Sequence, residues 1–74
     1  FDWTVETGVL AKIREELQEL QAAMDSQDLE GVSEEMGDLL FSVVNLARFR
    51  RADPEILMAR ANDKFEKRFG KRVR

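Results

Sequence analysis

Apolar and polar residues follow a helical rhythm along almost the whole chain. From about Glu6 to about Asp25, Leu10, Ile13, Leu17, Leu20 and Met24 recur by threes and fours, the spacing that lines one helix face. Lys12, Glu16 and Glu19 share a stripe on the flank of that seam. Asp25-Ser26-Gln27-Asp28 is a polar connector, with Ser26 or Asp28 available to cap a second helix from about Leu29 to about Arg51. There Leu29, Val32, Met36, Leu39, Leu40, Val43, Val44, Leu46 and Ala47 spread over an arc broader than one neighbouring helix covers, and Phe41 widens it. Glu35, Asp38, Ser42 and Asn45 mark the polar edge of that arc. Gly37, inside this helix, predicts a close approach to the backbone by a ligand or a partner helix. Asp53-Pro54 signals a cap and first turn for a third helix that runs to about Phe69 and stops near Gly70. Met58, Ala61, Phe65 and Phe69 are its expected buried stripe, with Lys64 and Arg68 beside it. Phe1 to Thr4 read as an apolar lid on the bundle end. The pattern predicts an all-α fold: a three-helix unit whose surplus apolar surface is covered by assembly into a helical-bundle dimer or higher oligomer.

Composition narrows the chemistry. At 74 residues the chain is a single domain, 1–74, and its start at Phe1 reads as a fragment of something longer. No stretch nears the roughly 20 apolar residues of a membrane span, and no signal-peptide pattern opens the chain. A cytoplasmic protein without a membrane partner is expected. With no Cys and no His, disulfides, thiolate chemistry, zinc sites of the usual kind and Ser-His-Asp catalysis are excluded. Any metal must be held by oxygen. The net charge is −3, but Lys64, Lys67, Arg68, Lys71, Arg72 and Arg74 crowd the end. The many carboxylates elsewhere argue against nucleic acid and suit a phosphorylated small molecule bound with its metal.

The candidate site is a pair of acidic pairs. Residues three apart are neighbours on a helix surface, so Glu16 with Glu19, and Glu35 with Asp38, each present two carboxylates together. If the two helices lie side by side, four carboxylates converge and repel unless a cation sits among them. Mg²⁺ or Mn²⁺, which prefer oxygen ligands, meet that need. The plainer alternative is a solvated acidic face, and for Lys12 an ordinary helix pair with Glu16.

Glu15-Glu16-Leu17-Gln18-Glu19 followed by Glu35-Met36-Gly37-Asp38 resembles the E-E-x-x-E … E-x-x-D signature of the MazG family of all-α nucleoside triphosphate pyrophosphohydrolases. The likeness extends over Phe1-Asp2-Trp3, Glu34 to Phe41, Val44 to Arg48 and Ala61 to Phe69. It implies hydrolysis of a nucleoside triphosphate between its α- and β-phosphates, Mg²⁺ as cofactor and a homo-oligomer. Carried over residue by residue, it makes Glu16, Glu19, Glu35 and Asp38 the metal ligands. Glu15 would orient the attacking water, Lys12, Lys64 and Arg68 would bind phosphates, and Asn62 would make a polar contact to substrate. Phe49 departs from the pattern, since the family often has His there. A phosphoribosyl-ATP pyrophosphatase-like enzyme and a non-catalytic nucleotide-binding or dimerisation domain are the alternatives.

Overall fold

The computed structural model describes residues 3–70. They form three helices, α1 (Trp3–Asp25), α2 (Leu29–Phe49) and α3 (Pro54–Phe69), and no strand occurs among the described residues. The all-α expectation holds. α1 starts earlier than its apolar spacing suggests, because no Pro or Gly between Trp3 and Glu6 interrupts the helix. The lid expected from Phe1 to Thr4 lies outside the described side chains.

Local devices close each helix. Gln27 is left-handed (φ 58°), which lets the Asp28 N–H reach the Ala23 carbonyl at 3.0 Å and satisfies an orphan carbonyl of α1. Ser26 Oγ donates back to the same carbonyl at 3.1 Å. The cap of α2 therefore falls to Asp28, whose carboxylate accepts from the Gly31 N–H at 3.0 Å. A Cβ at Gly31 would overlap that carboxylate, so the bare backbone there preserves the cap. The end of α2 repeats the pattern, with Arg51 at φ 58° and the Ala52 N–H on the Ala47 carbonyl at 2.8 Å. α2 accordingly stops at Phe49, two residues short of the expected Arg51. Asp53 caps α3 through the Glu55 N–H, Pro54 opens it, and left-handed Gly70 ends it, as the sequence predicts.

The short connector folds α2 back antiparallel to α1. At the far end Arg50 Nη1 donates to both oxygens of Glu6, at 2.8 and 3.2 Å. Between them the packing is inverted relative to an ordinary bundle. Among the described residues the two that are buried are polar, Glu16 and Ser42, and no hydrophobic side chain is buried.

Both seams sit rotated from their sequence reading. On α1 the covered positions are Val9, Ile13, Glu16, Leu20 and Ala23, while Leu10, Leu17 and Met24 are exposed. Glu16 thus occupies a seam position and not a flank. On α2, Val32, Glu35, Leu39, Ser42, Val44, Leu46, Ala47 and Phe49 are covered, whereas Leu29, Met36, Leu40, Phe41 and Val43 are exposed. The polar edge predicted for α2 thus falls partly inside the helix pair. A 3.6-residue repeat with two apolar strips does not say which strip meets the nearest helix.

α3 packs on α2, and among the described residues none of its Cα atoms comes within 8 Å of one in α1. Its expected buried stripe is correspondingly open: Met58, Ala61, Phe65 and Phe69 are all exposed, with the two phenyl rings 4.4 Å apart. Among the described residues, its own helical neighbours aside, nothing comes within 4 Å of a Cβ built at Gly37, so none of them makes the expected close approach. The result is an open, flat unit of 38 × 36 × 15 Å. Its radius of gyration is 14.8 Å, against about 11 Å for a compact domain of this length.

Candidate metal centre

Two turns of α1 and one of α2 build the acidic site. The antiparallel pairing sets Glu16 on α1 against Glu35 and Asp38 on α2, and carboxylate oxygens of these three lie within 4.8 Å of one another. A second trio, Glu15, Glu16 and Glu19, meets the same limit, so Glu16 belongs to both. All five acidic residues singled out in the sequence are therefore brought together. Burial grades across them, from Glu16 (4% exposed) through half-buried Glu35 to exposed Glu15, Glu19 and Asp38.

Lys12 partly neutralises the cluster, with its Nζ 2.9 Å from Glu16 Oε1 and 3.1 Å from Glu15 Oε1. The helix pair with Glu16 that local spacing predicts is thus present. Hydrogen bonds to Glu16 and then Glu15 push the Lys12 ammonium pKa well above its ordinary value. Lys12 does not satisfy the whole site. Glu16 Oε2 is buried and has no hydrogen-bond partner among the described residues, an arrangement that is costly for a carboxylate oxygen. Glu35 registers the same crowding: partial burial, then the charges of Glu19, Asp38, Glu16 and Glu34, raise its pKa above the ordinary 4.5.

These residues fit a hard divalent cation. Metal–oxygen bonds of 2.0–2.1 Å put octahedral donors about 2.9 Å apart as neighbours and about 4.2 Å apart across the ion. Within each trio the donors, already within 4.8 Å of one another, need little movement to reach such spacings, and a cation would satisfy Glu16 Oε2.

The α3 residues are not part of this cluster. Lys64 and Arg68 border a shallow depression of about 110 Å³ with Ala61, Phe65 and Phe69, and Asn62 is half-buried on the same helix. No ion pair or hydrogen bond links Lys64 or Arg68 to Glu16 among the described residues, and no Cα of α3 lies within 8 Å of α1.

Sequence reasoning missed a cavity of about 250 Å³ next to the cluster, lined by Val5, Gly8, Val9, Lys12, Ser42 and Asn45. Its signal was present as helical spacing on α1, but Val5, Gly8 and Val9 carry no chemistry of their own to draw notice.

The fold and donor set define an all-α protein with an oxygen-lined centre suited to a divalent cation. A model of the MazG nucleotide pyrophosphohydrolase domain matches residues 5–73, and the chain belongs to that family. Over 71 residues it is 54% identical to the nucleoside triphosphate pyrophosphohydrolase/pyrophosphatase MazG of Thermotoga maritima, covering 96% of this chain and 27% of that protein. Over 74 residues it is 49% identical to a nucleoside triphosphate pyrophosphohydrolase of Escherichia coli, covering 93% of this chain and 27% of that protein. The chain thus spans about a quarter of the length of these relatives. No solved structure matches it. No described helix is long and apolar enough to cross a membrane.

Proposed function

We propose that this chain is the metal-binding core of an enzyme that hydrolyses nucleoside triphosphates between the α- and β-phosphates, giving a monophosphate and pyrophosphate. The observation that carries this reading is the buried, unpartnered Oε2 of Glu16 inside a five-carboxylate cluster. The names of the two relatives support the substrate class. Glu16, Glu19, Glu35 and Asp38 are the ligands of Mg²⁺, or of Mn²⁺ in its place. When bound, the ion supplies charge neutralisation for the triphosphate and polarises its phosphoryl oxygens.

The chain's own groups do the rest. Glu15, exposed at the rim, orients the attacking water and accepts its proton. Lys12 holds Glu16 Oε1 until substrate arrives and then turns its ammonium to the phosphates. Lys64 and Arg68 stabilise the departing pyrophosphate electrostatically, and Asn62 holds a polar contact to substrate. Because α3 holds its backbone away from α1, in this reading these three groups come from the α3 of a second copy. The exposed strips Leu10, Leu17, Met24 and Leu29, Met36, Leu40, Val43 support that assembly, since two such hairpins can bury them in a helical bundle. The chain exposes 6415 Å², against roughly 4,700 Å² for a compact monomer of its mass, a surplus that exceeds the roughly 800 Å² per partner of a standard interface. A cytoplasmic setting, where nucleoside triphosphates are made and spent, belongs to the same proposal.

The test is a screen of the common NTPs and dNTPs for Mg²⁺-dependent release of monophosphate and pyrophosphate. Glu16→Gln should abolish turnover and weaken Mn²⁺ binding in calorimetry by at least about tenfold, since even residues supporting a ligand cost 10–100-fold. Undiminished turnover in that variant, or no turnover of any nucleotide by the parent chain, would sink the reading.

A further inference from the structure

The cavity beside the acidic cluster has features that the cluster does not explain, and we infer that it receives the nucleoside of the substrate. The inference rests on the proposed pyrophosphohydrolase reading and assigns the specificity determinants of that same site. The position is the first argument. Residues before Glu16 on α1 run alongside residues after Asp38 on α2, so Val9 and Asn45 both lie seven residues from the acidic pairs in the same direction. At 1.5 Å per residue this is about 10 Å along the helix axes, the direction and reach of a nucleoside whose phosphates lie at the carboxylates. Lys12 lines the cavity and also bonds Glu15 and Glu16, which makes the two regions continuous.

The lining is the second argument. Val5 and Val9 offer an apolar wall, while Ser42, buried to 5% exposure, and Asn45 place a hydroxyl and an amide on the opposite helix. Small-molecule pockets combine apolar walls with a few placed polar groups in this way. The Asn45 amide donates and accepts, and so can read a base edge. The volume of about 250 Å³ lies just under the range of about 300–1,000 Å³ common for ligand sites, a size for the nucleoside alone with its phosphates outside.

Gly8 is the third. It lies inside α1, where glycine is about 1 kcal/mol worse than alanine, yet a Cβ there would meet nothing within 4 Å. No packing among the described residues requires a bare backbone at that position. The missing side chain instead keeps the cavity open.

The experiment is calorimetry with Mn²⁺ and two probes: an α,β-methylene nucleoside triphosphate, which resists hydrolysis, and inorganic tripolyphosphate. Gly8→Leu projects a side chain into the cavity and favours the helix, so folding is not at risk. Its affinity for the nucleotide should drop at least about tenfold, with tripolyphosphate affinity held within about twofold. Gly8→Ala should fall between, and Asn45→Ala should flatten the ranking of the four bases. Equal loss for both probes, or no loss for either, overturns the assignment while leaving the pyrophosphohydrolase reading in place. A parent chain that binds neither probe overturns both.

Discussion

Glu16 shows how a residue's neighbours decide its role. Five carboxylates within two helices are a liability unless something positive joins them, and Lys12 covers only one edge. Glu35 carries a trace of this, added to the effect of its own partial burial. Its pKa is raised, so the folded protein holds that proton more tightly than the unfolded chain does. The repulsive contribution is fully present above the folded pKa and disappears as pH falls toward 4.5. The metal-free parent should therefore gain Tm relative to Glu35→Gln as pH is lowered from about 7 to about 4.5, with the variant the more stable at neutral pH. With Mn²⁺ at neutral pH the order should reverse, because the ligand must be an ionised carboxylate. Paired melting curves with and without the metal check both signs. The acidic residues themselves were legible from i, i+3 spacing. The burial of Glu16 was not, because spacing places a side chain on a face without saying what covers the face.

Helix boundaries in this chain obey local chemistry closely. α3 was readable to the residue, from the Asp53 cap and Pro54 to Gly70, because each device acts within a few residues of itself. α1 ends at Asp25 as its polar connector indicates, but the C-terminal end of α2 was less legible, since Arg51, like Gln27 after α1, adopts the left-handed conformation that normally favours glycine. Arg51→Gly should accordingly stabilise the chain by about 0.5–1 kcal/mol, read as a higher midpoint in urea followed by circular dichroism. A lower midpoint would show that the Arg51 side chain holds something that the φ angle does not reveal. The rotation of each helix was beyond local reasoning. α1 carries apolar residues at both the Leu10-Leu17-Met24 and the Val9-Ile13-Leu20 positions, and either strip satisfies the periodicity.

At the scale of the whole molecule, the exposed strips and the separation of α3 from α1 point to the same arrangement. A charge placed in the open strip of α2 should dissolve the assembly. Leu40→Glu, at a side chain 65% exposed, should sediment as an 8.6 kDa monomer and lose the dependence of Tm on concentration expected of an oligomer. If sites are shared between copies, two inactive variants should rescue one another. Equimolar Glu16→Gln and Lys64→Ala/Arg68→Ala, unfolded and refolded together, should recover about a quarter of parent activity, since half the dimers then carry one intact site of two. Recovery near zero would place α3 and the carboxylates of a site in the same chain.

Sequence alone determined the helices, the cap of α3, the absence of His and Cys as metal donors and which acidic residues pair on each helix, because these follow from spacing and residue type within a few turns. Only the tertiary structure decided that a glutamate and a serine, rather than leucines, are the most buried side chains between α1 and α2, and that the backbone of α3 stays away from α1. Helix rotation and long-range placement depend on which of several apolar faces is matched, and one chain's periodicity leaves that choice open.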